Sequence, residues 1–292
     1  MKKKILRKKG VQIHLALVLG IVAMLLILAG SILLQNTKRI STNSRATAAN
    51  LNTMQSPPAI ISGTQSKPGA HPYLVSLYRR GLIEMKSPDH LAKHFCGGVL
   101  INKDWIVTAA HCVNIYSAYE VGALFNTTDL TTESIKDNRR QGSKIIIHED
   151  YVPTYTEKPS KSNNDIALIK LKSSFTNVNP IALNKKDISS YSYKATTMGW
   201  GYTSTTATAK SQYLMEGDVT IEYLTSYPLV LHSKYPVSPY LYDSGGPLVS
   251  KDGTYEVLVG VNSSSTANAS DAYYVDVADY IDWINKKTGL SL

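Results

Sequence analysis

From residue 60 onward, hydrophobic residues occur in short runs that are separated by turn-forming residues. The runs are rich in β-branched residues and are mostly bounded by Gly, Pro, Asn or Asp, a pattern typical of β-strands. They predict strands at Tyr73–Tyr78, Gly98–Ile101, Trp105–Thr108, Lys144–His148, Ile166–Leu171, Ala195–Met198, Gly217–Ile221, Pro247–Ser250 and Tyr255–Val261. One segment, Val277–Lys287, instead repeats its apolar residues with helical spacing. The predicted fold class is therefore all-β with a C-terminal helix.

The amino-terminal pattern differs, because Leu15–Leu34 is a stretch of 20 residues without a charge. As a helix it would be about 30 Å long, which matches the hydrocarbon core of a bilayer. Six positive charges precede the stretch and three follow it, so the rest of the chain is expected outside the cell. A retained signal anchor is favoured, and cleavage near Ala29-Gly30-Ser31 stays open as the alternative. The predicted location is the cell surface, anchored through residues 15–34, or secreted.

Composition divides the chain into three parts. Residues 1–36 hold the basic amino terminus and the signal or transmembrane segment. Residues 37–59 are rich in Ser, Thr, Asn, Ala and Pro and have no apolar period, which predicts an extended linker or propeptide. Residues 60–292 are the predicted folded domain, whose length is ample for a large hydrophobic core.

The distribution of charge argues against a nucleic-acid partner. The formal net charge of the chain is +9, but nine Lys and Arg residues precede residue 60 with no Asp or Glu among them. The remaining 22 Lys and Arg residues are balanced by 22 Asp and Glu residues. Because the predicted folded domain is neutral overall, electrostatics gives no support for binding nucleic acid.

Three short motifs carry the chemistry of the chain. Asp243–Pro247 reads Asp-Ser-Gly-Gly-Pro and presents Ser244 on a turn, while His111 follows two alanines and Asp165 lies in an Asn-Asp-Ile segment. Each motif alone is also compatible with an ordinary turn, helix or strand entry. A serine, a histidine and an aspartate together are what activated-serine acyl transfer requires. An α/β-hydrolase esterase is excluded, because its Gly-x-Ser-x-Gly motif and its Ser, Asp, His order are both missing.

In this order, His, Asp, Ser, the motifs resemble the trypsin/chymotrypsin family of serine proteases. Further marks of the family are Ile60–Gly63 at the mature amino terminus, Cys96–Cys112 around the histidine, Gly199–Gly201, Leu258–Val261 followed by Ser263, and the terminal helix. The resemblance extends from Ile60 to about Thr288. It implies two antiparallel six-stranded β-barrels, the first at about 60–180 and the second at about 181–292, with the triad in the cleft between them.

The resemblance also implies the roles of the motif residues and the activity. Ser244 would be the nucleophile, His111 the general base and Asp165 the group that orients His111, in a serine endopeptidase that acts on proteins or peptides and needs no cofactor or metal. The two cysteines, Cys96 and Cys112, are either free thiols or a disulfide. An exported chain favours the disulfide, and the family pairs cysteines at these positions. Two cysteines alone are too few for a structural zinc site.

Activation by proteolysis is implied by the family as well. A cut between Ala59 and Ile60 would free an α-amino group that inserts into the domain and pairs with Asp243. Ala59 stands where many relatives carry Arg or Lys, so an activating protease of the elastase type, or an unrelated one, fits better than a trypsin-like activator. Such a cut would also release the domain from its membrane segment.

One position departs from the family pattern, because Tyr242 replaces the glycine that precedes the Asp-Ser pair. The N–H of that residue and the N–H of Ser244 are the two oxyanion-hole donors of the family. Glycine suits the position because its backbone reaches conformations that strain other residues. Two outcomes stay open: a loop that tolerates tyrosine, or an N–H that is turned away. The second would make the chain a silent or weakly active protease homologue that serves as a surface binding module.

Substrate specificity is predicted from four positions. Ser238 falls at the base of the primary pocket, where trypsin-like members hold an aspartate, so specificity for Arg or Lys is not expected. Ser265 and Ala272 fall where the pocket walls usually carry glycine, and Ser263 follows the strand that lines the cleft. Small or medium uncharged side chains are the predicted preference. The usual disulfide that braces the pocket is missing, with Tyr240 in place of one cysteine. The basic start and few cysteines suggest a bacterial, Gram-positive surface protein.

Overall fold

The computed structural model describes residues 60–81, 90–131, 138–153, 164–186, 193–223, 230–234, 236–252 and 254–292. Within these ranges, no helix combines the length and the apolar character that crossing a membrane requires. The predicted membrane segment Leu15–Leu34, the linker 37–59 and the residue Ala59 lie outside the described ranges.

The first half of the domain is a closed barrel of six antiparallel strands. Its strands are β2 (Leu74–Arg79), β3 (His94–Asn102), β4 (Trp105–Thr108), β5 (Val121–Phe125), β6 (Arg139–Ile147) and β7 (Ala167–Leu171). They follow the order β2-β3-β4-β7-β6-β5, and β5 pairs with β2 to close the ring. Closure removes the free sheet edges that would otherwise be open to pairing with another chain.

The second half is also a closed ring of six antiparallel strands. These are β9 (Tyr193–Gly199), β10 (Met215–Tyr223), β11 (Val230–Lys234), β12 (Pro247–Asp252), β13 (Tyr255–Ser265) and β14 (Asp271–Asp276). The order is β9-β10-β11-β14-β13-β12, with β12 pairing back to β9. The predicted fold class, two six-stranded antiparallel barrels with a C-terminal helix, is confirmed.

Two short strands attach to the second ring. Strand β8 (Ala182–Leu183) pairs in parallel with β13. Strand β1 (Thr64–Gln65) pairs with β10. The beginning of the segment that was predicted for the first barrel therefore joins the sheet of the second barrel, which brings Ile60 close to the second half of the chain.

Helices are short and lie mostly at strand ends. In the described part of the chain, the α-helices are α1 (His90–Lys93), α2 (Ala110–Val113) and α3 (Ile281–Thr288), and the 3₁₀ turns are Ala118–Glu120 and Val277–Tyr280. The predicted helix Val277–Lys287 is thus a 3₁₀ turn that continues as an α-helix. It begins at Asp276, whose carboxylate accepts from the N–H of Ala278, and it ends at Gly289 with φ of +74°.

All three motif residues lie next to strand ends. Helix α2, which carries His111, follows β4 after one residue, Asp165 lies just before β7, and Ser244 precedes β12. The strands themselves are buried, with Ile106, Leu168 and Leu248 each 0% exposed. The candidate residues therefore lie on a short helix and on loops that the strands of the two barrels hold in place.

Candidate active site

His111 and Asp165 form a hydrogen-bonded pair. Nδ1 of His111 lies 2.7 Å from Oδ2 of Asp165, and the backbone N–H of His111 donates to Oδ1 of the same carboxylate at 2.9 Å. Asp165 is buried, while the His111 side chain is 36% exposed. Because a carboxylate can only accept, Nδ1 carries the proton of the neutral ring, and Nε2 is left as the basic nitrogen.

The Ser244 segment packs directly against the segment that carries His111. The N–H of Gly97 donates to the carbonyl of Ser244 at 2.8 Å. A Cβ on Gly245 would lie 2.2 Å from Oγ1 of Thr108 and 3.2 Å from the backbone N of Ala109. Only glycine fits here, and its φ of +76° favours glycine too. The Gly after Ser244 therefore allows the turn to approach the residues that precede His111.

Ser263 connects the second barrel to the pair. Its hydroxyl donates to Oδ2 of Asp165 at 2.7 Å, across 98 residues of sequence. The preceding residue, Asn262, exchanges hydrogen bonds with Gly245 and Gly246 at 2.7 and 2.8 Å. Strand β13 thus holds both the Asp165 carboxylate and the turn after Ser244. The sequence placed Ser263 in the substrate cleft and missed this bond to Asp165.

Asn164 supports the pair in a second way that the sequence did not reveal. It adopts a φ of +36°, and its Oδ1 accepts from the hydroxyl of Tyr280 at 2.8 Å. Its Nδ2 donates to the carbonyl of Asp150 at 3.1 Å. Asparagine tolerates positive φ better than most residues. These bonds fix the backbone that immediately precedes Asp165.

Burial and ion pairing act in opposite directions on this pair. Burial lowers the pKa of His111, but the charge and the hydrogen bond of Asp165 outweigh it, so the pKa of His111 is raised above 6.5. Burial raises the pKa of Asp165, while His111 and Ser263 lower it and prevail. The carboxylate therefore stays ionised and favours a positive charge on the imidazole ring next to it.

We expect the acid side of the pH–rate profile to report the pKa of His111. Activity should fall as pH drops, with an apparent pKa above 6.5, because the protonated ring cannot accept a proton. Asp165→Asn should move this limb to lower pH along with a large loss of rate. As a matched control, Asp271→Asn alters a second His–Asp pair, His232 with Asp271 at 2.7 Å. An equal shift of the acid limb in Asp165→Asn and in Asp271→Asn would contradict the assignment of this limb to His111.

Tyr242 adopts the conformation that glycine would supply, with φ of +77°. The carbonyl of Leu241 accepts from the N–H of Tyr202 at 3.0 Å. In a trans peptide the C=O and N–H point in opposite directions, so this bond turns the N–H of Tyr242 away from Tyr202. In the described part of the chain, neither this N–H nor that of Ser244 has a protein acceptor.

The strain energy of this conformation is similar in size to the stabilisation that the contacts of the Tyr242 ring provide. Positive φ costs a residue with a side chain about 1–2 kcal/mol. The ring of Tyr242 lies 5.2 Å from that of Tyr202, and Nζ of Lys210 lies 4.7 Å from its centroid. Such contacts contribute about 0.5–1.5 kcal/mol for an aromatic pair and about 0.5–1 kcal/mol for an exposed cation–π contact. The ring contacts therefore offset most of the strain.

Ile60 and Asp243 are both buried. Ile60 is 0% exposed and packs with Met215, near Val237. The next residue, Ile61, exchanges two backbone hydrogen bonds with Ser238, at 2.9 and 3.2 Å. Asp243 accepts from the N–H groups of Gly201 and Tyr240 at 2.7 and 3.0 Å.

The carboxylate of Asp243 has no counter-charge within the described ranges. Among the described residues, no Lys, Arg or His forms an ion pair with it. Burial raises its pKa to about 7, although the two N–H bonds oppose the shift. The two glycines of Gly199–Gly201 make room for this side chain, since a Cβ on either would come within 2.6 Å of a carboxylate oxygen. The site thus accommodates a buried carboxylate whose charge a nearby cation would stabilise.

Of the predicted specificity residues, the structure pairs Ser265 with Ala272. Ser265 and Ala272 lie directly opposite each other on β13 and β14, and Ala272 is fully buried. Ser238 is 1% exposed, and its hydroxyl donates to the carbonyl of Pro239. Tyr240, in place of the missing cysteine, donates from its hydroxyl to the carbonyl of Ala267 at 2.8 Å. This hydrogen bond connects the segment before Ser244 to the segment that follows β13.

The predicted disulfide Cys96–Cys112 is confirmed. In the loop-entropy model, closing a loop of this size contributes about 3 kcal/mol. His111 lies beside it, with Nε2 at 3.7 Å from Sγ of Cys112. The three side chains lie close enough for a shared metal ion, but both sulfur atoms are already bonded to each other, so neither offers a thiolate.

Comparison with known proteins gives evidence on the family of this chain. Residues 60–284 match the family profile described as Trypsin. A serine protease, SSP1, of Scolopendra subspinipes is 29% identical over 256 residues, covering 78% of this chain and 83% of that protein. Coagulation factor XI of Bos taurus is 29% identical over 252 residues, covering 78% of this chain and 38% of that protein. Both relatives are animal proteins, so they lend no support to a bacterial origin.

Proposed function

Because this chain belongs to the trypsin family of serine proteases, we propose that it is an exported serine endopeptidase with Ser244, His111 and Asp165 as its triad. The observation that carries the proposal is the hydrogen-bonded chain from Ser263 through Asp165 to His111, with bonds of 2.7 Å. Asn262 ties the Ser244 turn to this chain. Activating a hydroxyl takes a base that is oriented by a buried carboxylate, and here the turn after Ser244 packs against Thr108 and Ala109, just before that base.

In the proposed mechanism, Oγ of Ser244 attacks the carbonyl carbon of the scissile bond while its proton passes to Nε2 of His111. Asp165 stabilises the imidazolium that forms. The N–H groups of Tyr242 and Ser244 stabilise the negative oxygen of the tetrahedral intermediate. His111 then gives the proton to the leaving amine, and an ester on Ser244 remains. Water, activated by His111, hydrolyses this ester and restores the serine.

The proposal includes activation by a cut before Ile60. Ile60 has a φ of +52°, which is strained for a β-branched residue. This angle is defined by the carbonyl carbon of the preceding residue, so cutting that bond removes the clash, worth about 1–2 kcal/mol. The new α-ammonium group would then pair with Asp243, the buried carboxylate without a counter-charge. An activating protease is therefore a proposed partner, and Ala59 before the bond favours one of the elastase type.

Proteins or peptides with small or medium uncharged side chains before the scissile bond are the proposed substrates. Ser238 offers no carboxylate to pair with Arg or Lys. The methyl group of Ala272 and the side chain of Ser265, which face each other, would narrow the pocket. Export rests on the sequence of residues 15–34 alone, either as an anchor at the cell surface or as a signal that leaves the domain secreted.

Labelling with a fluorophosphonate probe tests the proposal. In a full-length chain, residues 55–59 are replaced by the enteropeptidase recognition sequence, so that digestion leaves Ile60 as the new amino terminus. The expected adduct is on Ser244 and is lost in His111→Ala. Ser250→Ala removes a hydroxyl that only bonds the carbonyl of Lys194, and it should retain labelling. A folded, cut chain without an adduct would refute the enzyme and leave the binding module as the working hypothesis.

A further inference from the structure

The side chain of Tyr242 lies against one loop of the second barrel. Tyr202 and Lys210 face each other across an isolated antiparallel bridge, and we call the segment between them the 202–210 loop. The Tyr202 ring contacts the Tyr242 ring at 5.2 Å with an angle of 46° between their planes. Nζ of Lys210 lies 4.7 Å from the centroid of the same ring. One loop therefore presents both an aromatic ring and a cation to Tyr242.

A positive φ at a non-glycine residue persists only when its surroundings hold it there. Two backbone bonds contribute, because the N–H of Tyr202 holds the Leu241 carbonyl and Nε2 of His94 lies 3.2 Å from the Tyr242 carbonyl. A glycine at position 242 would keep both. The contacts with the Tyr202 ring and the Lys210 cation exist only because residue 242 carries a ring.

Lys210 is itself fixed to the first barrel. Its ammonium group donates to the carbonyl groups of Ala92 and His94, at 3.2 and 2.5 Å. Burial, and then the charge of Lys210, lower the pKa of His94 to about 3, so His94 is neutral near pH 7. Its Nε2–H is therefore the donor to the Tyr242 carbonyl, and Nδ1 accepts from the hydroxyl of Ser76. The cation above the ring is thus part of a fixed framework.

We propose that Tyr202 and Lys210 are positioning residues that hold Tyr242 at positive φ and so keep its N–H available as an oxyanion donor. The inference rests on the proposed function, and it explains how the chain accommodates tyrosine where the family has glycine. Their side chains touch the Tyr242 ring and act on the reaction only through it. In a chain with glycine at position 242, neither side chain would be needed for this purpose.

A double-mutant cycle tests the proposal. Tyr202→Ala and Lys210→Gln are each made in the native chain and in the Tyr242→Gly background, using the full-length chain that is cut before Ile60. Tyr202→Ala keeps the backbone N–H that bonds Leu241, so it removes only the ring contact and the side-chain hydrogen bond with Tyr242. Tyr202→Phe and Lys210→Arg keep the ring and the cation, and Tyr255→Ala removes a tyrosine that is 78% exposed elsewhere. Turnover of a peptide ester gives kcat and KM.

In the native background, Tyr202→Ala and Lys210→Gln should each lower kcat about tenfold with little change in KM. This loss is smaller than the 10²–10³ loss that removing one oxyanion donor causes, because the donor is displaced and not removed. In the Tyr242→Gly background the same changes should alter kcat by less than about twofold, since coupled residues fail to add. Lys210→Arg and Tyr255→Ala should stay near the native rate. Tyr202→Phe keeps the ring but loses the side-chain hydrogen bond with Tyr242, so its kcat should lie between that of the native chain and that of Tyr202→Ala. Equal losses in both backgrounds, or none in either, would overturn the proposal.

Thermal unfolding of the same variants gives a readout that does not need activity. Tyr202→Ala and Lys210→Gln should lower the Tm more in the native background than in the Tyr242→Gly background, because only the tyrosine needs their support. Identical Tm shifts would contradict the positioning role even if the chain proved to be no hydrolase. A chain that shows the Tm coupling but no hydrolysis would refute the proposed function and the oxyanion part of this inference, and leave the support of Tyr242 standing.

Discussion

Ser244→Ala is expected to lower kcat for peptide hydrolysis by a factor on the order of 10⁶, the loss seen when the nucleophile of such a triad is removed. Without Oγ no acyl-enzyme forms, and only substrate binding and the oxyanion donors remain. The fold should not change, because Ser244 is attached through its backbone carbonyl, which accepts from the N–H of Gly97. Alanine keeps that bond. The measurement is kcat on a peptide substrate, together with the Tm and the circular dichroism spectrum.

Three further variants make this result specific. His111→Ala should cost about as much as Ser244→Ala, and the double variant should cost little more, because residues of a triad act as one unit. Ser250→Ala should keep the native kcat. Substantial turnover by Ser244→Ala, at the same Tm as the native chain, would show that another group is the nucleophile. Additive losses in the double variant would show that Ser244 and His111 act in separate steps.

The strand pattern predicted much of this fold because most strands are short apolar runs with clear boundaries. Trp105–Thr108 was predicted to the residue as β4, and β12 and β13 were predicted to begin at Pro247 and Tyr255, as they do. Five strands were missed: the barrel strands β5, β11 and β14, and the two-residue strands β1 and β8. The segment Asp271–Asp276 has a charge at each end and two tyrosines within, and it becomes a strand by pairing between β11 and β13. Such pairing is a long-range effect that local composition does not encode.

The candidate site likewise has a part that the sequence predicts and a part that it does not. The motifs predict Ser244, His111 and Asp165 as the site residues, since these residue types in this order are distinctive. The groups that hold them came from elsewhere in the chain. Ser263 reaches Asp165 across 98 residues, and Tyr240 reaches Ala267 across 27 residues. A hydroxyl can bond any nearby acceptor, so only the folded arrangement selects its partner.

The conformation of Tyr242 is understood only when the sequence and the structure are considered together. The sequence left open whether its N–H would be turned away. Its φ of +77° and the bond from Tyr202 to the Leu241 carbonyl favour a loop that tolerates tyrosine. Local preference favours glycine here, and tertiary contacts with Tyr202 and Lys210 outweigh it. Departures from a local rule of this kind are expected near functional sites, where the surroundings offset the strain.

A free amino group on Ile60 is expected to raise activity by a factor of about 10²–10⁴. Leaving a buried charge without its partner costs about 3–5 kcal/mol, and each 1.36 kcal/mol is about tenfold in the population or rate that depends on it. In the uncut chain, Asp243 is buried without a cation among the described residues. The Asp243 turn leads directly into Ser244, so an unpaired carboxylate there disfavours the ordered oxyanion loop.

The comparison uses two full-length chains that differ by one residue. Both carry an enteropeptidase site in place of residues 55–59, and in one of them a methionine follows the site. Digestion therefore leaves either Ile60 or Met-Ile60 as the new amino terminus. We expect the first form to be much faster in kcat/KM. In the Asp243→Asn background the cut should raise activity less than tenfold, because the amide cannot form the ion pair.

The pH dependence of stability gives an independent check. With a pKa of about 7 in the fold and 3.8 as the reference value, Asp243 binds its proton more tightly when folded. The uncut chain should then be stabilised by this group below about pH 4 and lose that stability as pH rises to about 7. An inserted ammonium group lowers the pKa of Asp243, so the cut chain should lose much less over the same range. Equal rates for Ile60 and Met-Ile60, with the same pH dependence of Tm before and after the cut, would rule out insertion.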